Sequence, residues 1–338
     1  MKVKRYLFLI ALSILFVVCF YKMNETYDEL ARYPYATSEN HDLILKYLNE
    51  KDIDYLLAQN IRPEQFLPYV ECEGFQLHKT LWYDKAMTLQ NADASSIVSF
   101  INTWNEHFTF KEMDGLFTNY TYDQLQAFFT QGDEFVEGAK LLTNPSDPMT
   151  VLTDQVSLYR YVPNDLTKIT SFPSVNINQT ASKEVYVREA VIEPLAKMAE
   201  ALTQASGKTN YDLIVVGGFV PYEEQMTLYQ NALLQYGAEQ FQQYEDYPGH
   251  SENQLGFSVR FSIAGLNSLE EIMQSEQVAW LNAHAHEYGF IVRYPLEKEA
   301  IAGKAAQPLT LRYVGEETAT KLKEKNFTLE EMSEQHEK

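Results

Sequence analysis

The sequence predicts an α+β protein. Apolar residues recur at helical spacing in residues 41–70 and 185–206. Between residues 257 and 262, apolar and polar side chains alternate instead, as they do in a half-buried strand. Hydrophobic residues make up 45% of the 338 residues, which is enough for a core, and this length allows one large and one smaller domain.

The amino-terminal residues predict a membrane anchor. Basic residues precede an uninterrupted apolar run from Tyr6 to Tyr21, which Lys22 closes. This run is near the lower limit of the roughly 17–25 residues that span a bilayer. No small-residue cleavage pattern follows, and Val18 occupies the position before Cys19 where a lipoprotein signal needs a small residue. We therefore predict an uncleaved signal anchor over residues 1–23, a single-pass location in the cell membrane, and an extracytoplasmic bulk. A cleaved signal peptide is the alternative.

The net charge limits the possible binding partners, and the positions of the cysteines exclude a disulfide. The net charge of -20 disfavours nucleic acid and anionic lipid as partners of the folded part. Cys19 lies in the predicted membrane run and Cys72 lies outside it, so the two cannot form a disulfide.

The region before residue 150 predicts a stalk over residues 24–40 and a membrane-proximal, mostly helical domain over residues 41–144. In chain order, the predicted elements of this domain are helices that start at His41, Asp52 and Pro63, strands at 75–81 and 97–101, and a helix at 122–142. The run Asn144-Pro145-Ser146-Asp147-Pro148 is a strong break, and we predict the domain boundary there.

A second domain is predicted over residues 150–318, followed by an acidic tail over 319–338. In chain order, its predicted elements are a helix at 185–206 that Pro194 could kink, a buried strand at 211–216, a turn into a helix at 217–225, a helix around Trp280 that Gly289 caps, and a strand at 290–294.

The most informative stretch, Pro248 to Ser262, reads P-G-H-S-E-N-Q-L-G-F-S-V-R-F-S. A Pro-Gly turn leads through polar residues into the alternating strand. This stretch resembles the zinc-binding core of the VanY-like D-alanyl-D-alanine carboxypeptidases, P-G-x-S-E-H-Q-x-G-x-A-x-D, which supplies two metal ligands. In this sequence Asn253 stands at the His position and Arg260 at the Asp position.

Four more stretches between Tyr161 and Gly315 resemble the same family. They are Tyr161–Leu166 (Y-x-P-x-D-L), Gly217–Gln225 (S-G-Y-R-S-Y-x-x-Q in the family), Trp280–Pro295 (W-L-x-x-N-A-x-x-Y-G-F-I-x-R-Y-P) and Gln307–Gly315 (E-P-W-H-L-R-Y-V-G). The resemblance implies a short antiparallel sheet flanked by helices. It also implies that Gln307 replaces the general base, Thr310 the third metal ligand, and Val220 the arginine that binds the substrate carboxylate.

These replacements remove the chemistry of a zinc peptidase. Zinc catalysis needs about three His, Asp, Glu or Cys ligands and one open position. The Thr310 hydroxyl stays protonated, Asn253 offers only a neutral amide oxygen, and Arg260 places a fixed positive charge near the expected ion. Gln307 cannot accept a proton from water. We therefore expect no catalytic residue, no metal ligand and no zinc cofactor.

A ligand cleft is predicted instead, made of Val220, Gln225, Ser251, Glu252, Arg260 and Gln307, of which Ser251 and Glu252 survive from the family motif. Ser251 either binds a ligand or caps its own turn. We expect Arg260 to pair with Glu252 or with another carboxylate. His250 could supply a relocated ligand, although the histidines form no recognisable zinc spacing.

Other polar and aromatic residues are assigned structural roles. Tyr222, Tyr288, Tyr294 and Trp280 are predicted core aromatics, with a stacking role for a sugar or peptide as the alternative. Arg293 and Arg312 are predicted to form ion pairs that tie strands together. The glutamate pairs at 316–317 and 330–331 are predicted to be solvated helix faces.

The predicted function is that of a membrane-anchored, extracytoplasmic D-Ala-D-Ala carboxypeptidase-like protein without catalytic activity. Its predicted partner is a peptidoglycan stem peptide or a protein of the cell envelope. One alternative is an active D,D-carboxypeptidase with a non-standard site. The other is a structural scaffold in which the cleft is vestigial.

Overall fold

A computed structural model describes residues 2–25, 28–177 and 184–336. The contacts within the chain divide it into two compact units, Met1–Phe110 and Lys111–Lys338. This division falls before the break predicted at residues 144–148. Residues 111–144, which the sequence analysis assigned to the helical domain, pack with the second unit.

The first unit is helical. Its helices are α1 (Lys2–Glu25), α2 (His41–Tyr47), α3 (Glu50–Ala58), α4 (Pro63–Phe66), α5 (Thr80–Leu89) and α6 (Ala94–Trp104). Ile44, Ile53, Leu56 and Phe66 form the centre of a core beneath α2, α3 and α4. The predicted stalk contributes to this core because Leu30 and Tyr33 are buried in it, and the Tyr33 hydroxyl donates a hydrogen bond of 2.7 Å to the carbonyl oxygen of Ile61.

Both strands predicted in this unit are wrong. Residues 77–89 form a 3-10 turn and then α5, whose buried residues Thr80, Tyr83 and Ala86 recur every third position. Residues 97–101 lie within α6, which Asp93 caps by accepting a hydrogen bond from the backbone N–H of Ser96. A short apolar run can satisfy a strand pattern and a helix pattern equally, and here the capping residue and the tertiary contacts favour the helix.

The amino-terminal run forms α1, which exposes large apolar side chains such as Phe8, Leu15 and Phe20. Among the described residues, no helix combines the length and the apolar character that crossing a bilayer requires. The membrane anchor stays a prediction from the sequence.

The second unit combines helices with a small sheet. Its strands are β1 (Lys140–Leu141), β2 (Val156–Ser157), β3 (Leu166–Lys168), β4 (Tyr186–Arg188), β5 (Leu213–Gly217), β6 (Ser258–Ile263), β7 (Phe290–Tyr294) and β8 (Gln307–Tyr313). Its helices are α7 (Met113–Asn119), α8 (Tyr122–Gln131), α9 (Glu189–Ser206), α10 (Tyr222–Tyr236), α11 (Leu269–Met273), α12 (Glu276–His284), α13 (Glu299–Ala302), α14 (Glu316–Lys325) and α15 (Leu329–His336). The mixed fold predicted from the sequence is confirmed.

The main sheet has the order β5-β6-β8-β7, and all its neighbouring strands are antiparallel. The register pairs Gly217 of β5 with Arg260 of β6, and Arg260 with Thr310 of β8. Gln307 pairs with Tyr294 on the other side of β8. Residues that are far apart in the sequence therefore form one row across the sheet.

Residues 122–142 do not form one helix. Helix α8 ends at Gln131 because Gly132 has a φ of +73°, a conformation that favours glycine. The Asp133 side chain then accepts hydrogen bonds of 2.9 Å from the backbone N–H groups of Phe135 and Val136. This turn directs the Phe135 ring against Tyr247 instead of continuing a helical face.

Asp133 also fixes residues 132–136 to the second unit. Its Oδ2 atom lies 3.2 Å from Nε2 of His250, and both side chains are buried. Burial by itself raises the pKa of Asp133, but hydrogen bonds from His250, Ser157 and two backbone N–H groups outweigh it and lower the pKa to about 2.

The carboxyl-terminal residues form part of the fold rather than an acidic tail. Ala319 and Leu322 of α14 pack with Leu329 and Met332 of α15 around Val314. Helix α9, in turn, runs from Glu189 through Pro194 to Ser206, while residues 186–188 before it form β4. The predicted strand at 211–216 begins at Leu213, after a short 3-10 turn.

Replacing Asp133 with Asn should destabilise the protein by about 2 kcal/mol at pH 7, because charge-assisted hydrogen bonds to the buried carboxylate are lost. The folded-state pKa lies below the ordinary value of 3.8. The contribution of Asp133 should therefore be complete above about pH 4 and decline as the pH falls towards about 2. Denaturant unfolding of both proteins between pH 7 and pH 2.5 would show the difference in stability narrowing over that range.

The exposed Asp154 is the matched control, and Asp154→Asn should change the free energy of unfolding by less than about 0.5 kcal/mol. Equal stability of Asp133→Asn and wild type at pH 7 would contradict this role of Asp133.

Candidate functional site

A pocket lies beside the row of residues that crosses β5, β6 and β8; it is called the cleft below. The residues singled out in the sequence that line it are Val220, Ser251, Glu252, Asn253, Arg260, Tyr294, Gln307 and Thr310. The structure therefore brings all four positions of the expected zinc chemistry to one place. Gln225 is the one predicted cleft residue that is absent from this lining.

Arg260 lies across the sheet with its guanidinium over the backbone of Gly217. A Cβ atom at position 217 would lie 3.3 Å from Nε of Arg260 and 3.4 Å from one of its terminal nitrogens. The absence of a side chain at Gly217 therefore leaves the space that the guanidinium fills. Gly218 is constrained as well, because a Cβ there would lie 2.5 Å from the carbonyl oxygen of Tyr186.

Glu245 is the carboxylate that acts on Arg260. Burial lowers the pKa of Arg260, and the charge of Glu245 opposes that effect. Burial likewise raises the pKa of Glu245, against a hydrogen bond from Gln225 and the charge of Arg260. The carboxylate whose charge acts on Arg260 is therefore Glu245, whereas Glu252 pairs with Arg293 and Arg312.

Gln225 has a supporting role behind Glu245. Its Nε2 atom donates hydrogen bonds of 2.8 Å to Oε1 of Glu245 and 3.0 Å to the carbonyl oxygen of Asp246. Gln225 is fully buried in α10 and holds the acidic side of the cleft in position.

The other replaced positions form local hydrogen bonds. The Thr310 hydroxyl donates to Oε1 of Gln307 at 3.0 Å. The backbone N–H of Val220 donates to the carbonyl oxygen of Asn253 at 3.3 Å. The Ser251 hydroxyl accepts a hydrogen bond of 3.4 Å from the N–H of Asn253, so the turn-capping role of Ser251 is observed. A ligand role for Ser251 stays a prediction.

Glu252 is held by a buried ion-pair network. Its carboxylate oxygens each accept a hydrogen bond of 2.8 Å from Arg293 of β7 and lie 3.7 Å from Arg312 of β8 at the nearest. Arg293 also contacts Glu330 of α15. Burial would raise the pKa of Glu252, but Arg293 and Arg312 outweigh burial and lower that pKa.

The predicted ion pairs of Arg293 and Arg312 are thus confirmed. The prediction was that they join strands to one another, whereas they join β7 and β8 to the turn at Glu252, and Arg293 also joins β7 to α15. The prediction that residues 330–331 form a solvated face is wrong. Glu330 pairs with Arg293, and Glu331 lies 3.0 Å from Lys298 and accepts a hydrogen bond from the backbone N–H of Thr328.

Sequence reasoning missed the mouth of the cleft. Tyr244, Glu245, Asp246 and Lys304 line it, but none belongs to a motif that the resemblance covers. Lys304 fixes the residue 242–246 loop, because its Nζ atom contacts Oδ1 of Asp246 at 2.5 Å and donates to the carbonyl oxygen of Gln242 at 2.6 Å. The acidic pair Glu245-Asp246, one residue before the Pro248-Gly249 turn, was the available signal.

Arg188 was missed as well. It donates hydrogen bonds to Asp165 at 2.8 Å, to the Tyr161 hydroxyl and to the carbonyl oxygen of Leu255. The Tyr161–Leu166 stretch that resembles the family therefore anchors a buried arginine, a structural role that joins β4 to the turn before β6.

The side chains of the cleft do not fit zinc. Among residues 2–25, 28–177 and 184–336, no group of three His, Cys, Asp or Glu side chains is placed to hold a metal ion. His250, the candidate for a relocated ligand, points to Asp133 and is absent from the cleft lining. The neutral donors of Asn253, Thr310 and Gln307 and the cation of Arg260 are also unsuited to a dication.

The cleft is also narrow. Its volume of ≈ 30 Å³ admits one or two water molecules but not an amino-acid residue. A ligand larger than water would therefore contact the mouth of the cleft, unless Arg260 and its neighbours moved.

The fold and the site together indicate a carboxypeptidase-like domain. Strand β6 of its antiparallel sheet follows the Pro248-Gly249 turn and the Ser251-Glu252 pair, and Arg293 and Arg312 pair with Glu252. The family profile of the D-alanyl-D-alanine carboxypeptidase VanY matches residues 187–316. The chain is 30% identical over 200 residues to the Bacillus subtilis (strain 168) protein named "Putative carboxypeptidase YodJ", covering 58% of this chain and 70% of that protein.

The chain is also similar to two further proteins. The chain is 30% identical over 202 residues to a D-alanyl-D-alanine carboxypeptidase of Enterococcus faecium, covering 59% of this chain and 58% of that enzyme. A solved structure of the LdcB LD-carboxypeptidase is 28% identical, with a TM-score of 0.49 over 60% of this chain and 92% of that chain. This chain belongs to the VanY D-alanyl-D-alanine carboxypeptidase family.

Replacing Glu252 with Gln should destabilise the protein by about 3–5 kcal/mol, because it leaves Arg293 and Arg312 buried with too little negative charge. Calorimetry or denaturant unfolding would measure the loss. Glu324→Gln, an exposed position on α14, should stay within about 0.5 kcal/mol of wild type. A loss for Glu252→Gln as small as that of the control would show that the network does not support the cleft.

Proposed function

We propose that this chain is a non-hydrolysing member of its family that binds the peptidoglycan stem peptide at the mouth of the cleft. The observation that carries this proposal is the position of Arg260. It lies between Gly217 and Thr310 in the row across the sheet, where the resemblance implies an aspartate ligand. The proposal places the chain outside the cytoplasm, where peptidoglycan lies, as the amino-terminal pattern predicts.

Arg260 opposes metal binding in two ways. Its guanidinium stays protonated at any physiological pH, so it repels a dication at short range. It also fills space, because it rests on Gly217 at the floor of a cleft of ≈ 30 Å³. The loss of one ligand could be compensated by a neighbour, but a fixed cation at the site could not.

The loss of the general base follows from the same geometry. Gln307 begins β8 and accepts the hydrogen bond of the Thr310 hydroxyl. An amide at this position neither takes a proton from water nor returns one to a leaving amine. Gln307 therefore cannot activate water at the position of the family's general base.

The support for ligand binding is the retained framework. The Glu252 network, the Arg188 anchor and the Lys304 contacts hold the rim of the cleft in a fixed position. A fixed rim loses little conformational entropy when a ligand binds. Its polar groups suit a peptide, whose amides need hydrogen-bond partners.

The zinc part of the proposal can be tested by restoring the family residues. The wild-type chain should retain no zinc after dialysis, whereas a variant with Asn253→His, Arg260→Asp, Thr310→His and Gln307→Glu should bind about one ion per chain. Mass spectrometry of the metal content would measure this. The same variant with Arg260 left in place is the matched control and should bind no zinc.

Stoichiometric zinc in the wild-type chain would overturn the proposal in favour of an active carboxypeptidase. No zinc in a folded quadruple variant would mean that the four positions do not converge as a ligand set.

Ligand binding needs a separate test. Isothermal titration of the full chain with a stem pentapeptide ending in D-Ala-D-Ala should give saturable heat, and chromatography should find no released D-alanine after prolonged incubation. Asp246→Asn, which removes the partner of Lys304 at the rim, should weaken binding, while Asp154→Asn should not. Absence of binding would favour the scaffold function.

A further inference from the structure

An exposed aromatic face stands at the mouth of the cleft. The Tyr244 ring lines the cleft and is 43% exposed. One of its faces is covered by Tyr236 at the end of α10, with ring centroids 3.8 Å apart and an interplanar angle of 14°. The two rings are called the tyrosine platform below.

The platform is held rigidly. Lys304 binds the carbonyl oxygens of Gln242 and Glu245 at 2.6 and 3.3 Å, on either side of Tyr244. The backbone N–H of Ala305 donates a further bond of 2.9 Å to the carbonyl oxygen of Gln243. Because its loop is immobilised, the exposed Tyr244 ring loses little conformational entropy when a ligand binds to it.

We infer that the tyrosine platform binds a pyranose ring of a glycan. A pyranose presents a flat face of C–H groups, which packs on the electron-rich face of an aromatic ring, and a rim of hydroxyl groups that need hydrogen-bond partners. Asn253 and Gln307 offer amide groups in the same cleft lining. A pyranose therefore suits both the aromatic face of Tyr244 and the amide groups of Asn253 and Gln307.

Charge excludes the main competitor for an aromatic platform. Nucleobases also stack on tyrosine, but their phosphates need a basic surface. The chain has a net charge of -20, and Glu245 and Asp246 flank Tyr244. An uncharged sugar meets no such repulsion.

This inference rests on the proposed function for the choice of peptidoglycan as the ligand. It deepens that function, because it assigns the glycan strand to the tyrosine platform and the stem peptide to the rim of the cleft. It also explains how a ligand can be held when the cleft itself admits only water-sized groups.

The test compares sugar and peptide probes on the full chain. Saturation-transfer NMR with a β-1,4-linked tetramer of N-acetylglucosamine should show contact through ring C–H protons. Tyr244→Ala should weaken the affinity for the tetramer roughly tenfold, and Tyr244→Phe should leave it within about threefold. Leu234→Ala, an exposed apolar position on the same helix as Tyr236, is the control and should not change it.

The outcomes separate the inference from the proposed function. If the stem pentapeptide binds and the tetramer does not, the tyrosine platform is not a sugar site, while the proposed function stands. Binding of the tetramer with equal affinity to wild type and a folded Tyr244→Ala variant would also overturn the inference. If neither probe binds, both the inference and the proposed function fail.

Discussion

The ion pair between Glu252 and Arg293 is the interaction on which the cleft depends. Glu252 belongs to the turn that follows the Pro-Gly motif, Arg293 lies on β7, and Glu330 extends the network to α15. A buried carboxylate is tolerated only because two arginines surround it. The pair therefore fixes the turn, the sheet and the last described helix as one unit, and holds the turn that lines the cleft.

The cleft itself carries a second charge arrangement. Arg260 and Glu245 face it from opposite elements, β6 and the loop after α10, and each is largely removed from water. The charge of each opposes the effect of burial on the pKa of the other, and a hydrogen bond from Gln225 also stabilises the charged form of Glu245. A framework that places two replaced ligand positions, Arg260 and Thr310, in one row thus carries a side-chain cation and a carboxylate in the same cleft lining, and this arrangement supports the proposed loss of metal chemistry.

The residues that support the cleft are different from the residues that stand at its mouth. The buried arginines that support the cleft, such as Arg188 and Arg312, bind backbone carbonyls and carboxylates within the protein. Tyr244, which faces solvent at the cleft mouth, and Lys304, which fixes its loop, lie in loops outside the family motifs. Loops on a rigid support can change ligand preference without changing the fold. On the proposed function, recognition in this chain is therefore a property of its loops.

The sequence by itself determined the family, the replaced positions and the strand that carries Arg260, because motif spacing and period-two alternation are local. It misassigned residues 75–81 and 97–101, since short apolar runs satisfy strand and helix patterns equally. Only the tertiary structure decided that Glu245, rather than Glu252, acts on Arg260 and that Tyr244 stands at the cleft mouth. Those facts depend on how distant segments meet, and no local pattern encodes such meetings.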